Sequence, residues 1–329
     1  MEITFNNDID LNLFKNKNLL ITGGCGFIGS SFCNFISKYV NKLVIIDKIS
    51  EISNIKNIEN IIDNNNIILI KENILNHNFF NTFKTYNINY IIHFAAQTHV
   101  DNSYKYFDVF LEDNIKTTQY LLDCILKYDK TIIFLHFSTD EIYGPSLNDK
   151  KFTEESNFNP TNPYAASKAS CELIINTYKY SYGLPIIITR CNNVYGNFQN
   201  MEKVIPKFIY NAINDKSLEL HGYNDKIRDF IHINDVIRAI IYIILKGNIG
   251  EIYNIGVDNP IKIKDLAIKI IDKIGKGKII YIDDRPFNDY RYNIDCSKLE
   301  NLGWKSIINF DESLDEIIKW FINNPNYWL

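Results

Sequence analysis

Six short apolar runs, rich in Ile and Val, punctuate the first 190 residues: LLITGG (19–24), KLVIID (42–47), IILI (67–70), YIIHFAA (90–96), TIIFLHFST (131–139) and LPIIITR (184–190). Helical stretches separate them. Strands that are apolar on both faces and alternate with helices indicate a parallel, doubly wound α/β sheet of the Rossmann type, since helices on both sides must cover such strands. Beyond about residue 195 the strands are fewer and the polar segments between them longer. That portion reads as a smaller C-terminal α/β domain that closes over a ligand. The expected division is 1–195 for the first domain, with 1–16 as an N-terminal extension, and mainly 196–329 for the second, the boundary interleaved.

Composition narrows the range of partners. With 329 residues, 46% of them hydrophobic, the chain can bury a substantial core. Its net charge of -4 comes from 35 basic and 39 acidic residues scattered without a basic block, so nucleic acid is not an expected partner. No apolar stretch approaches the roughly 18–20 residues that span a bilayer, and MEITFNNDIDLNLFKNKN has no basic region leading into an apolar one; a cytoplasmic location is expected. Cys25, Cys33, Cys124, Cys171, Cys191 and Cys296 lie far apart, with no CxxC pair and no His at zinc-finger spacing, and read as reduced and structural, with no metal site.

The first apolar run leads into TGGCGFIGSSF (22–32), where Gly23, Gly26 and Gly29 are spaced GxxGxxG and a helix begins near Phe27 and Ile28. Glycine permits the tight turn and lets backbone approach a pyrophosphate, while the helix N-terminus offers N–H donors and the positive end of its dipole. Asp47 ends the next run about 20 residues on, where a carboxylate accepts from ribose hydroxyls. That favours NAD over NADP, whose 2′-phosphate it would repel. Lys48 follows directly and reads as a surface lysine.

NPYAASKAS (162–170) places Tyr164 and Lys168 four residues apart, on one helical face, so that an ammonium can favour a phenolate. Asn162-Pro163 is a natural helix start. Together with the glycine turn and the STD (138–140) that ends an apolar run, this resembles the extended short-chain dehydrogenases/reductases, in which a Ser or Thr, a Tyr and a Lys move a proton as nicotinamide moves a hydride. Thr139, Tyr164 and Lys168 would take those roles. STDEIYG (138–144) narrows the resemblance to the sugar nucleotide 4,6-dehydratases, whose Thr is followed by Asp-Glu. Their chemistry needs both acids: a C4 ketone acidifies the C5 proton, one carboxylate removes it, and a neighbouring acid protonates the departing C6 hydroxyl. Glu141 is the expected base and Asp140 the expected acid, with NAD tightly bound and recycled.

The resemblance runs from about Lys17 to the C-terminus through HFAAQTHVDNS (93–103), RCNNVYG (190–196), MEKVIPKFI (201–209), KIRDFIHINDV (226–236), YNIG (253–256) and RPFNDYRY (285–292). RPFNDYRY, CNNVYG and the closing NNPNYWL look most like the dehydratase part of the UDP-rhamnose synthases. It implies that Ala95, Ala96 and Asn114 line the NAD site and that Thr98, Thr139, Asn193, Lys203, Arg228, Asn259, Arg285 and Tyr292 contact a nucleotide sugar. In KENIL (71–75), Asn73-Ile74 stands where the family commonly has Asp-Ile, and the Asn73 amide oxygen can still accept from adenine. His93 reads as a core histidine. The resemblance also implies a homodimer built on helices 113–127 and 164–180, and, with the chain ending at Leu329, a separate downstream epimerase/reductase. UDP-glucose is the expected substrate and dTDP-glucose the alternative, since no residue identifiably reads the base; a nucleotide sugar 4-epimerase and a non-catalytic NAD-binding regulator are more distant readings.

Overall fold

The computed structural model describes residues 3–6, 8–223, 226–284, 286–325 and 327–328. In chain order its strands are β1 (Asn18–Thr22), β2 (Lys42–Asp47), β3 (Ile67–Lys71), β4 (Tyr90–His93), β5 (Ile133–Thr139), β6 (Ile186–Cys191), β7 (Asn193–Tyr195), β8 (Ser217–His221), β9 (Ile227–His232), β10 (Ile252–Ile255), β11 (Pro260–Lys262) and β12 (Lys278–Ile282). The six apolar runs are β1 to β6. They form one sheet in the order β10-β6-β5-β4-β1-β2-β3, every neighbouring pair parallel. Strand order reverses between β1 and β4, and a crevice opens there beyond the carboxyl ends of the strands.

Residues of β1, β2, β5 and β6 are almost wholly buried, as runs apolar on both faces require. β3 differs: it lies at the sheet edge and is only half-buried. His93, on β4, is a core residue whose Nδ1 and Nε2 lie 2.7 Å from Thr22 Oγ1 and 3.1 Å from Thr118 Oγ1, and burial pushes its imidazole down to about 3.

The C-terminal half does not stay apart. β10 completes the large sheet beside β6, and helix Ile233–Lys246 buries Val236, Ile237, Ile240 and Ile241 in the same core as helix Phe27–Ile36. The smaller unit has a three-stranded sheet, β11-β9-β7, a parallel β12-β8 pair, and a separate core in which Phe208, Leu266 and Leu314 are buried. Its last residues return to the large unit: Tyr327 Oη donates to Asn57 Oδ1 at 2.6 Å, and Asn54 Nδ2 donates to the Tyr327 carbonyl at 3.2 Å. Both asparagines also donate to the Cys25 carbonyl inside the glycine turn.

One expected helix departs from regularity. Residues Leu111–Lys116 form a π-helical turn, and regular α-helix begins at Thr117. Thr118 Oγ1 donates to the Asn114 carbonyl at 2.7 Å, and the Asn114 side chain turns inward to Gln97 and Ser167, so local side-chain bonds compete with the i→i−4 ladder.

Candidate active site

A single cleft runs from the glycine turn to the paired acids at the end of β5. At its cofactor end, Gly23 has φ +67°, and a Cβ there would lie 2.7 Å from Ala95 backbone; a Cβ on Gly29 would lie 2.2 Å from the Gly23 carbonyl oxygen. Only glycine fits either place. Gly26 caps helix Phe27–Ile36 without a side chain, so the first-turn N–H groups face the cleft that Gly26, Phe27 and Ile28 line. Asp47 Oδ2 accepts from Cys25 N at 2.9 Å and Oδ1 from Ile49 N at 2.8 Å, which fixes the carboxylate at the cleft wall. Ile74, Ala95 and Ala96 line the same wall. The cradle fits a dinucleotide.

Lys48 and Asn73 also line the cleft, each already engaged by a neighbour, whereas Asn114 does not line it. Asn114 is buried behind the wall, where its Oδ1 accepts from Gln97 N at 2.7 Å and its Nδ2 donates to Ser167 Oγ at 2.9 Å; it positions the wall. Asn73 lines the cleft, but its amide oxygen already accepts from Leu75 N at 2.9 Å, leaving one lone pair. Lys48 is ion-paired, its Nζ 2.6 Å from Asp113 Oδ2.

The acids stand on a 3₁₀ turn, Asp140–Tyr143, capped by Thr139, whose Oγ1 accepts from Glu141 N at 3.3 Å. Tyr143 anchors that turn in the core: its hydroxyl donates to Asn254 Oδ1 on β10 at 2.8 Å and accepts from Arg190 on β6 at 2.7 Å. Asp140 is buried, and Asn192 Nδ2 donates to its Oδ2 at 2.7 Å. Burial, reinforced by the charge of Glu141, pushes Asp140 up to about 8, so it keeps its proton at neutral pH. Burial also raises Glu141, against the amide of Asn162 at 2.9 Å and the charges of Arg228 and Lys203, which favour its ionised form. Two adjacent carboxyls thus have unlike surroundings, the condition for one to act as acid and the other as base.

Helix Pro163–Tyr182 brings in Tyr164 and Lys168. Asn162 serves twice, its Oδ1 capping the helix at Ala165 N and its Nδ2 holding Glu141. Burial first, then the charge of Glu141, raises the Tyr164 phenol, which hydrogen-bonds Thr139. Lys168 is buried, and its Nζ donates to the Phe137 carbonyl at 2.7 Å and lies 3.2 Å from His136 Nε2.

Thr98, Asn193 and Lys203 line the cleft, and Lys203 Nζ donates to the Thr98 carbonyl at 2.9 Å. Arg228 and Tyr292 lie beside the acids: the guanidinium is 4.8 Å from the centre of the Tyr292 ring, and Tyr292 Oη is 3.5 Å from Glu141 Oε2. Asn259 does not join them; it lines a separate cavity, its backbone N–H tied to Asp229. Arg285 lies outside the described residues. Asn162, Asn192 and Asp289 hold the acids or their partners; they lie within NPYAASKAS, RCNNVYG and RPFNDYRY, but nothing in those segments singles out their roles beyond the polar N-cap next to Pro163.

The family described as GDP-mannose 4,6 dehydratase matches residues 20–317. The dTDP-D-glucose 4,6-dehydratase of Dictyostelium discoideum is 40% identical over 98% of this chain and 85% of its own. A trifunctional UDP-glucose 4,6-dehydratase/UDP-4-keto-6-deoxy-D-glucose 3,5-epimerase/UDP-4-keto-L-rhamnose-reductase of Arabidopsis thaliana is also 40% identical over 97% of this chain, which spans about half, 49%, of that relative. The crystal structure of the Streptomyces venezuelae dTDP-glucose 4,6-dehydratase with NAD and TYD bound superimposes with a TM-score of 0.90 at 32% identity, covering 94% of this chain and 98% of that one.

Proposed function

The chain belongs to the GDP-mannose 4,6 dehydratase family, and on that premise we propose that it is an NAD-dependent nucleotide-sugar 4,6-dehydratase whose substrate is UDP-glucose. The observation that carries the reaction is the acid pair on one turn at the cleft, Asp140 held protonated and Glu141 facing cations and an amide donor. A 4-epimerase has no use for it.

Bound NAD would supply the acceptor for the hydrogen leaving C4 and its return to C6, so that no net oxidation occurs. Gly23, Gly26, Phe27, Ile28, Gly29, Asp47, Lys48, Asn73, Ile74, Ala95 and Ala96 would hold it along the cleft wall. Tyr164, with Thr139, receives the proton of the C4 hydroxyl; Lys168 stands four residues on along the same helix, where an ammonium favours the phenolate. Glu141 takes the C5 proton, and Asp140 gives its proton to the C6 hydroxyl as water departs; Glu141 then returns a proton to C5 as the hydrogen returns to C6, and the proton taken up by Tyr164 balances the one that Asp140 gave to water. Lys203 and Arg228 supply cations for the diphosphate.

The uracil reading draws on RPFNDYRY, CNNVYG and the Arabidopsis relative; the Dictyostelium relative supports dTDP-glucose as the alternative. Exposed Phe107, Val109, Leu173 and Tyr180, on the helices beginning at Phe107 and Pro163, support a homodimer. A 4-keto-6-deoxy product calls for a following epimerase/reductase. Incubating the protein separately with UDP-glucose and dTDP-glucose, without added NAD, should convert UDP-glucose faster to a product lighter by one water. Faster turnover of dTDP-glucose would overturn the base assignment, and loss of water from neither would overturn the dehydratase reading.

A further inference from the structure

Asp289 brings a third carboxyl to the acid pair, on a segment that is remote in sequence. It is buried, and its Oδ2 accepts from Tyr292 Oη at 2.5 Å and from Thr161 Oγ1 at 2.7 Å. Its Oδ1 is buried without a hydrogen-bond partner, an arrangement that costs stability and invites a functional explanation.

Tyr292 has one hydroxyl hydrogen and two carboxyls within reach. Asp289 is at 2.5 Å and Glu141 Oε2 at 3.5 Å, so the hydrogen goes to Asp289. The ring cannot swing aside freely, because the Arg228 guanidinium lies over it while Arg228 Nη1 donates to the Asp289 and Tyr290 carbonyls at 3.0 and 3.2 Å. Thr161, next to the helix cap Asn162, ties Asp289 to the element that carries Tyr164. We propose that Asp289 is a positioning residue of the reaction: by engaging the Tyr292 hydroxyl it keeps that hydroxyl from donating to Glu141, and so leaves Glu141 free to take a proton.

A hydrogen bond to an ionised carboxylate favours the ionised form and weakens it as a base. Glu141 already faces Asp140 on its own turn, Asn162 and Tyr164 from the catalytic helix, Lys203 and Arg228 from the substrate side, and Asp289 and Tyr292 from the 289–292 segment. Without Asp289, the Tyr292 hydroxyl turns to Glu141. The inference rests on Glu141 as the C5 base.

The test is deuterium incorporation at C5 from heavy water as a function of pH, in Asp289→Ala and in the more conservative Asp289→Ser, with melting temperature and bound NAD measured on each. Asp289→Ala should slow exchange about tenfold or more, and the limb on which the rate rises with pH should move to lower pH. In the Tyr292→Phe background no hydroxyl competes, and most of the loss caused by Asp289→Ala should vanish, leaving the part due to removing a nearby negative charge. Equal fold-losses with and without the Tyr292 hydroxyl would overturn the proposal. Glu141→Gln separates the two levels: undiminished C5 exchange in that variant overturns the base assignment, whereas lost exchange together with background-independent Asp289 variants overturns the role of Asp289 alone.

Discussion

At Asp140 the proton needed for chemistry is held where ionisation is disfavoured. A carboxyl whose folded value lies near 8, against an ordinary 3.8, contributes stability that is complete below about pH 4 and is lost as pH rises to about 8. The loss is at most about 1.4 kcal/mol per pH unit over that window and levels off above it. Asp140→Asn keeps an oxygen for Asn192 and cannot ionise. Its stability advantage over the parent should therefore grow between about pH 4 and 8 and then stay flat, as chemical denaturation at several pH values would show; an advantage independent of pH would refute the burial argument. Asp140, Glu141, Tyr164 and Lys168 were legible in the sequence because each pair sits within one turn, where spacing alone decides proximity. Asn192 and Asp289 were not, since what brings them to the acids is the pairing of β5 with β6 and the return of the 289–293 segment.

Among the elements, the acid turn depends on a buried web centred on β6. Arg190 Nη2 donates to Glu172 Oε2 at 2.8 Å, Nη1 donates to Tyr143 Oη, and the guanidinium lies 4.9 Å from the centre of the Tyr143 ring. Asn254 receives the Tyr143 hydroxyl and donates to the Phe152 and Asp295 carbonyls, so β5, β6 and β10 share one network. Glu172→Ala strands a buried guanidinium and should cost about 3–5 kcal/mol in denaturant unfolding. A loss below 1 kcal/mol would mean that water or another acid replaces Glu172. The parallel strands were legible from composition, since burial on both faces selects Ile and Val. β10 was not, because EIYNIG acquires its strand character from pairing with β6. The π-helical turn at Leu111–Lys116 was hidden for a similar reason: Asn114 and Thr118 decide it through contacts that periodicity does not record.

For the whole molecule, the surface of the two helical segments near Phe107–Tyr128 and Pro163–Tyr182 bears on assembly. Leu173 is 57% and Tyr180 77% exposed on the long helix, with Phe107 and Val109 exposed on the neighbouring one. Apolar side chains so placed are expected to meet their two-fold copies as a four-helix bundle. Light scattering at micromolar concentration should give twice the chain mass, and Leu173→Glu with Tyr180→Glu should give a single chain mass; a monomeric parent would refute the assembly.

The Tyr327 contact has a consequence for the order in which the protein is made. The segment around Asn54 and Asn57 braces the glycine turn, whereas the partner of Asn57, Tyr327, is added 270 residues later. A ribosome-bound chain can pair β1 with β2 and shape the turn long before Tyr327 has been added. The brace itself closes only once the chain has been extended through Tyr327, so a nucleotide captured by a shorter nascent chain sits against a glycine turn that has not yet been fastened from outside.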